Sequence, residues 1–283
     1  MGREGTTPIE VWEGWPREHW RALWGVPVLE LYGVAPSTND IARELAEAGA
    51  PEGTVVLADH QTAGRGRGGR SWVTPPGRAL LLSIVLRPSV PAEGEATPGV
   101  LPLLVGLAVA RAIGRIARIR AGIKWPNDVV LADGGKVAGI LCEGVLGGRT
   151  GGYVVAGIGI NVAQTRADFP PDLDGRATSL RLATDRNVSR AALAGRVVAE
   201  VLRLAAHGAR PLGRALLADL RRRDVLRGRA ITVDGERRGT AQGIAADGSL
   251  LVREEHGSSV VLVRSGTIRL AEGRSSTREG ART

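Results

Sequence analysis

The chain has 283 residues, 43% of them hydrophobic, which is enough to bury a core in one large domain with a small appendage or in two modest domains. No apolar run reaches the roughly 20 residues that span a bilayer, and residues 1–15 have neither the basic start nor the apolar stretch of a signal peptide. These features exclude a membrane protein and predict a cytoplasmic location. The single cysteine, Cys142, excludes an intramolecular disulfide and a zinc site of paired cysteines, so we expect no metal site fixed by the protein alone.

The formal net charge of +9 is also found in nucleic-acid-binding proteins. The basic residues, however, are spread along the chain among acidic ones, as on an ordinary solvated surface. Only two of the 38 basic residues are lysines, Lys124 and Lys136. A surface accepts arginine or lysine alike, whereas only lysine offers a compact charge that can be aimed at one point. We therefore expect these two lysines to serve chemistry.

The N-terminal part predicts a short extension followed by the first elements of a sheet. Residues 1–27 carry four tryptophans, and Pro16 with the REHWRALWG that follows it predicts a short amphipathic helix. Residues 28–33 (VLELYG) are typical of a strand, and the Ser-Thr-Asn triplet before residues 40–48 can cap a helix there. Residues 54–60 (TVVLADH) predict a strand that leads directly into a loop of glycines and arginines.

The middle of the chain predicts one long helix and a run of consecutive strands. Residues 79–88 form a continuous apolar strand that ends in proline, and residues 101–117 repeat apolar side chains at helical spacing. Residues 123–131 (IKWPNDVVL), the turn ADGG and residues 136–145 (KVAGILCEGV) predict a hairpin, to which residues 153–162 add a third strand. The fold class is therefore α+β, a mixed, largely antiparallel sheet with helices packed on one side.

The C-terminal part predicts two more helices, over residues 187–207 and 211–222. From Arg229 the chain changes to short strands separated by DG turns, which indicates a small β-barrel. The polar end of the chain predicts disorder. The predicted parts are an N-terminal extension with a short helix (1–27), a main domain (28–224), a small β-barrel domain (225–271) and a disordered tail (272–283).

The loop GRGRGGRSW, residues 64–72, has four glycines and three arginines in nine residues. Unobstructed backbone N–H groups and guanidiniums can converge on phosphate oxygens, so we predict a lid that closes over a phosphate. The two common phosphate motifs are absent, because there is no GxxxxGK[ST] and the GxGxxG-like spacing does not open a helix. A disordered nucleic-acid tether is the alternative, although such tethers are usually longer and lie in tails.

Together with other strings, this loop resembles the ordered motif set of biotin protein ligases. The strings are AGRGRGGRSW (63–72), KWPND (124–128), GKVAGIL (135–141), GIGINV (157–162) and ATSL (177–180), flanked by STND (37–40) and RSGTIRL (264–270). The resemblance covers roughly residues 28–270 and implies a class II synthetase-like catalytic core followed by an SH3-like β-barrel. It implies that residues 28–224 bind biotin and ATP.

The resemblance also implies an activity: ATP converts biotin into biotinyl-5'-AMP, and a lysine of a biotin carboxyl carrier protein then displaces AMP. Three residues would have catalytic roles. Lys136 would lie between the biotin carboxylate and the α-phosphate, and Arg67 would shield the adenylate from water. Asp128 would orient the acceptor amine or a magnesium ion that accompanies ATP.

The remaining site residues carry over by position. The biotin-binding set is Ser37, Thr38, Asn39, Gln61, Arg65, Gly66, Arg67, Lys136, Gly139, Gly157 and Gly159. The set for ATP and the adenylate is Arg65, Arg67, Arg70, Trp72, Lys124, Asn127, Lys136 and Asn161. For Ser37, Thr38 and Asn39, helix capping is an alternative that can coexist with binding. Gly157 and Gly159 would allow the backbone to approach the ligand closely.

The sequence also allows two alternative functions. A lipoate or octanoate ligase shares the core fold, and an Arg-rich nucleic-acid-binding module is a remote alternative. Only 36 residues precede Ser37, too few for the winged helix of family members that also repress transcription, so we expect a monofunctional ligase that does not bind DNA. Family members have a sheet edge that serves a homodimer or acceptor docking, and the sequence does not decide between them.

Overall fold

The computed structural model describes residues 3–89, 97–146, 152–173, 175–255 and 259–271. The predicted tail, 272–283, lies outside the described residues. Within those ranges, no helix combines the length and apolar character needed to cross a membrane.

The helices and strands are numbered in chain order. The helices are α1 (Arg17–Trp24), α2 (Thr38–Glu47), α3 (Val100–Ile116), α4 (Leu180–Thr184), α5 (Arg190–Ala205) and α6 (Arg214–Arg223). The strands of the first half are β1 (Thr7–Pro8), β2 (Val11–Trp12), β3 (Trp15–Pro16), β4 (Leu29–Ala35), β5 (Val55–Gln61), β6 (Ala79–Leu86), β7 (Gly122–Lys124) and β8 (Asp128–Val130). The later strands are β9 (Lys136–Leu146), β10 (Gly152–Asn161), β11 (Ala230–Val233), β12 (Arg237–Ile244), β13 (Leu250–Glu254), β14 (Val260–Val263) and β15 (Ile268–Leu270).

Eight strands form the main sheet, in the order β1-β4-β5-β6-β10-β9-β8-β7. The pairs are antiparallel except for β4 with β5, which the helix α2 connects as a parallel crossover. The predicted succession of antiparallel strands is confirmed for β8, β9 and β10. The α+β class with a largely antiparallel sheet is therefore confirmed.

One predicted strand is in fact two. The segment IKWPNDVVL was expected to be a single strand, but β7 and β8 pair with each other as a hairpin around Pro126. Proline has no N–H to give to a ladder, which explains the break. The hairpin sets Lys124 directly opposite Asp128.

The two faces of the sheet carry different helices. Helices α3 and α5 pack on each other and cover one face with the main hydrophobic core, as expected for helices packed on one side. The shorter α2 lies on the opposite face over Val56, Val85 and Val155. Beyond α2, alternation along β9 and β10 turns Ile140 and Ile158 into the main core and their neighbouring glycines toward the α2 face. That glycine-lined part of the sheet forms the floor of a cavity.

The N-terminal extension is a packing unit. The indole of Trp12 is buried, and its Nε1 donates to Asp59 Oδ1 at 2.9 Å. Trp20 and Trp24 meet Trp12 with ring centroids 6.1 and 6.0 Å away. Trp24 also lies against Gly195 of α5, where an added Cβ would come within 2.7 Å of the indole. The predicted amphipathic helix, α1, is present and anchors the extension to α5 and β4.

The last strands form a second, five-stranded sheet in the order β14-β13-β12-β11-β15. It meets the main domain where Trp125 Nε1 donates to the carbonyl oxygen of Gly248 at 2.8 Å. The predicted helices before it correspond to α5 and α6, whereas α4 was not predicted. Ser179 of the ATSL string caps α4, since its hydroxyl accepts from the Leu182 N–H at 3.1 Å.

Candidate active site

A cavity of about 370 Å³ opens on the α2 face of the main sheet. Every residue predicted to act lines it: Ser37, Thr38, Asn39, Gln61, Arg65, Gly66, Arg67, Arg70, Trp72, Lys124, Asn127, Asp128, Lys136, Gly139, Gly157, Gly159 and Asn161. Residues that are far apart in the chain meet here because α2, the glycine-arginine loop and the β7–β10 strands surround the same patch of sheet. Their individual roles stay predictions.

One end of the cavity is neutral and polar, and it is built on the first turn of α2. The backbone N–H and the hydroxyl of Thr38 both donate to Gln61 Oε1, at 2.7 and 3.0 Å. Ser37 occupies the N-cap position, but its side chain makes no capping hydrogen bond. The side chains of this turn therefore hold the cavity wall instead of closing the helix.

Asn39 is fixed by hydrogen-bond partners from two strands, β6 and β9. Its Nδ2 donates to Glu143 Oε2 at 2.7 Å and to the Leu141 carbonyl oxygen at 3.3 Å, and its Oδ1 accepts from the Ser83 hydroxyl at 2.6 Å. An added Cβ at Gly157 would lie 2.1 Å from Oδ1, so only glycine leaves room for this amide. Both N–H groups are engaged, while Oδ1 keeps a lone pair for a ligand. The amide therefore presents an acceptor at the polar end.

The glycine-arginine loop is a closed turn. Trp72 N donates to the Gly64 carbonyl oxygen at 2.8 Å and Gly66 N to the Arg70 carbonyl oxygen at 2.6 Å. Gly68 lies at a φ of 64°, in the left-handed region that favours glycine. The loop thus projects its arginines from a compact hairpin that follows β5.

The three arginines of the loop contact three different partners, and their convergence on a phosphate stays a prediction. Arg65 donates to both oxygens of Asp40, at 2.6 and 2.8 Å. Arg67 Nη1 donates to Asn127 Oδ1 at 3.3 Å, and Arg70 Nε donates to the carbonyl oxygen of Arg67 at 3.1 Å. Arg65 thus has a carboxylate of α2 within reach, and its predicted role in ligand binding stays a prediction.

The opposite end of the cavity is cationic, and Lys136 lies at its centre. Lys136 Nζ forms an ion pair with Asp128 Oδ1 at 2.6 Å and lies 5.4 Å from the centre of the Trp72 ring. Asn161 Nδ2 donates to the Thr178 carbonyl oxygen at 3.0 Å and to that of Lys136 at 3.4 Å, which fixes the start of β9. Asp128 therefore holds the ammonium in place, a contact that the sequence did not predict.

Lys124 lies at the same end. Burial lowers the pKa of its amine, and the nearby charges of Lys136, Arg176 and Arg70 lower it further, against the opposing effect of Asp128. The charges of three other cations thus act on Lys124, with Asp128 as the opposing carboxylate. Such an arrangement favours a ligand that brings several negative charges.

The glycines of β9 and β10 accommodate protein side chains. An added Cβ would lie 2.9 Å from the Trp72 indole at Gly139 and 2.6 Å from it at Gly159. Asn39 lies against Gly157 and Trp72 against Gly159, and the close approach of a ligand to these glycines stays a prediction. The buried Trp72 Nε1 has no hydrogen-bond partner within the described part of the chain.

Sequence reasoning missed three residues of the site. Ser83 is fully buried beneath Thr38 and Asn39, and its signal was a lone polar residue within the apolar strand ALLLSIVL. Glu143 likewise interrupts an apolar strand. Arg176 lines the cationic end, and its carbonyl oxygen accepts from the Lys136 N–H at 2.9 Å. Nothing before ATSL distinguished Arg176 from the many other arginines.

Within the described ranges, no group of three or more His, Cys, Asp or Glu side chains could hold a metal ion. Cys142 is a poor nucleophile, because burial raises the pKa of its thiol to about 12.

Comparison with known proteins first defines a class. The sequence model of the Biotin/lipoate A/B protein ligase family matches residues 31–161, which include α2, the glycine-arginine loop and β6 to β10. The chain is also 45% identical over 158 residues to the "Bifunctional ligase/repressor BirA" of Bacillus spizizenii. That match covers 56% of this chain but only 47% of the relative's length.

Two further relatives define the family within this class. The "Biotin--[acetyl-CoA-carboxylase] ligase" of Mycobacterium tuberculosis is 36% identical over 228 residues, which cover 77% of this chain and 79% of the relative. The structure of "Biotin protein ligase from Aquifex aeolicus in complex with biotin and ATP" superposes with a TM-score of 0.71 at 28% identity, covering 87% of this chain and all of that one. The chain belongs to the biotin protein ligase family.

Proposed function

We propose that the chain is an ATP-dependent biotin protein ligase that forms biotinyl-5'-AMP and passes biotin to a lysine of a biotin carboxyl carrier protein. The observation that carries this proposal is the polarity of the cavity. Its neutral end offers hydrogen-bonding groups, and its other end gathers four cations, with Lys136 at the centre of that end.

The polar end suits the ureido ring of biotin. That ring has two N–H donors and one carbonyl acceptor, and Asn39 Oδ1 has a free lone pair for a donor. Biotin would bind with its ring among Thr38, Asn39 and Gln61 and with its carboxylate toward Lys136. The dithiolane ring of lipoate has no such groups and would leave buried polar atoms unpaired, which is costly. This favours biotin over lipoate or octanoate.

The cationic end suits the first step. A carboxylate oxygen of biotin attacks the α-phosphorus of ATP, and pyrophosphate leaves. Lys136 would hold the two anions together, with its ammonium positioned by Asp128. Lys124, Arg70 and Arg176 would neutralise the triphosphate. Magnesium would arrive with ATP as part of the substrate, with Asp128 as the nearest carboxylate.

In the second step an acceptor lysine attacks the carbonyl carbon, and AMP leaves. A free lysine has a pKa near 10.4, so only about one amine in 2500 is neutral at pH 7. We assign Asp128 to orient that amine, and Arg67, which Asn127 holds over the cavity, to keep water from the adenylate. Because the reaction needs ATP and a protein acceptor, we propose a cytoplasmic location. We also propose domain boundaries at residues 27, 224 and 271.

One experiment tests the proposed function directly. The purified chain is incubated with ATP, magnesium and biotin together with a carrier domain, and the carrier is weighed by mass spectrometry. The carrier is expected to gain one biotinyl group. Exchange of labelled pyrophosphate into ATP, measured with biotin and with lipoate, identifies the acid. Exchange supported only by lipoate would overturn the biotin assignment, and duplex binding without any exchange would favour the nucleic-acid alternative.

A further inference from the structure

Arg65 is held by carboxylates from two different elements. Its guanidinium binds both oxygens of Asp40, on the first turn of α2, at 2.6 and 2.8 Å. Its Nη2 also lies 3.4 Å from Glu143 Oε2, on β9. The first arginine of the loop thus joins the loop to α2 and to the main sheet.

Glu143 serves two partners with one oxygen. The Oε2 atom that faces Arg65 also accepts from Asn39 Nδ2 at 2.7 Å. Asn39 in turn accepts from Ser83 at the bottom of the polar end. A continuous chain of hydrogen bonds therefore runs from the place where the ureido ring would bind to the outside of the glycine-arginine loop.

We propose that Asp40 and Glu143 are positioning residues that clamp the loop through Arg65, and that Glu143 couples occupancy of the polar end to closure of the loop. The inference rests on the proposed function for the identity of the ligand, biotin. It assigns to Arg65 an anchoring role in place of a contact with phosphate, and it leaves phosphate contacts to Arg67 and Arg70.

These groups are partly exposed, at 39% for the Arg65 side chain, 28% for Asp40 and 35% for Glu143. Isolated exposed ion pairs contribute little. This one is bidentate and belongs to a network, the arrangement in which such pairs do contribute. The hydrogen bond from Arg65 lowers the pKa of the Asp40 carboxyl, so the clamp stays charged at neutral pH.

The test compares Asp40→Asn and Glu143→Gln with the unmodified chain and with a matched control, Arg43→Gln. Arg43 donates to the same Asp40 Oδ1 at 2.7 Å, but it belongs to α2 itself, so its loss leaves the contact between the helix and the loop in place. Two quantities are measured for each variant. The first is the rate at which an arginine-specific protease cuts after Arg67 and Arg70, with and without biotin, and the second is the lifetime of biotinyl-AMP on the enzyme.

We expect Asp40→Asn to raise loop cleavage about three- to tenfold and to shorten the adenylate lifetime by a similar factor. Glu143→Gln keeps an acceptor for Asn39 but loses the charge that attracts Arg65, so biotin should protect the loop less. Because coupling between two equilibria is reciprocal, biotin affinity should fall by the same factor as the protection. Arg43→Gln should change neither quantity.

The protease should cut the loop of the double variant Asp40→Asn/Arg65→Gln no faster than that of Asp40→Asn, since both substitutions remove the same contact. Unchanged cleavage in Asp40→Asn, or an equal effect of Arg43→Gln, would overturn the clamp. Equal protection by biotin in Glu143→Gln and the unmodified chain would overturn the coupling. If the unmodified chain forms no biotinyl-AMP, the proposed function fails, but the biotin-free cleavage rates still test the clamp.

Discussion

At the scale of single residues, the cavity is defined by charges aimed at particular points. Lys136 illustrates this, because Asp128 fixes its ammonium and the side chain of Asn161 donates to its backbone carbonyl oxygen. Most of this set could be predicted from the sequence, since the motif strings stand out from an arginine-rich background. Ser83 could not, because its importance depends on the register that brings β6 under α2.

Lys136→Ala is expected to lower the rate of biotin-dependent pyrophosphate exchange about 100-fold or more, because the charge between two anions is lost. Lys136→Arg should restore little of that rate, since a broad planar fork does not replace a compact ammonium. Initial rates at saturating biotin and ATP measure both variants. Exchange within a factor of two of the unmodified chain in Lys136→Ala would contradict the assignment.

Arg67→Gly is expected to release the adenylate early, because the substitution removes the guanidinium that reaches from the loop to Asn127. Formation of biotinyl-AMP should continue, while free biotinyl-AMP appears in solution and labels added amines. Filtration of single-turnover mixtures separates the bound from the released adenylate. An adenylate retained as long as in the unmodified chain would refute the shielding role.

Ser83→Ala should weaken biotin binding about tenfold, since removal of a buried hydroxyl takes away the donor to Asn39 Oδ1. Ser249→Ala provides a matched control, because Ser249 is also a buried serine but lies in the turn between β12 and β13. Isothermal calorimetry with biotin alone measures both. Equal affinities for the two variants would show that the Ser83 contact does not support the polar end.

At the scale of elements, hydrophobic periodicity was sufficient for the long helices and the central strands. The helices α3 and α5 repeat apolar residues over several turns, and β6 is a continuous apolar run. Short elements were harder to predict. The division into β7 and β8 depends on one proline, and α4 has five residues, too few for a periodic pattern.

A group of charges joins helices α3, α5 and α6, because Arg111 of α3 pairs with Glu200 of α5 at 3.7 Å and with Asp219 of α6. This group gives a prediction of how stability depends on pH. Burial alone would raise the pKa of Asp219, but the hydrogen bond from Arg111 Nε, at 2.9 Å, and the charges of Arg223 and Arg222 hold it below its usual range. A carboxyl whose pKa is lowered by folding stabilises the fold at any pH above its pKa in the unfolded chain. That contribution is lost as the pH falls through its pKa in the folded chain.

Asp219→Asn should therefore lower the free energy of unfolding at pH 7 by about 1–3 kcal/mol. The difference from the unmodified chain should shrink below the usual pKa range of aspartate, near pH 3.9. Urea unfolding at several pH values measures this, with the exposed Asp172→Asn as the control. A difference that stays constant from pH 7 to pH 2.5 would contradict the ionic origin.

At the scale of the whole molecule, the order of the parts followed from composition and turn signals, and the fold class is confirmed. The contact between the parts could not be predicted, because Trp125 meets Gly248 across 123 positions of the chain. The N-terminal residues 3–36 form a small hairpin, two strands of sheet and one short helix before α2. The expectation that the chain does not bind DNA stays a prediction.

The position of the two lysines affects whether the chain can be acylated on its own lysines. An acyl-adenylate is a mixed anhydride that acylates any free amine it meets. On a lysine-rich protein surface, the surface lysines would be acylated first. Here both lysines line the cavity, and the other 36 of the 38 lysine and arginine side chains are guanidiniums, which stay protonated and do not react. After long incubation with biotin and ATP, peptide mass spectrometry should find no biotinyl-lysine on this chain, whereas label on Lys124 or Lys136 would contradict their contact with phosphate. An arginine-rich surface would thus leave the proposed adenylate few amines of this chain to acylate.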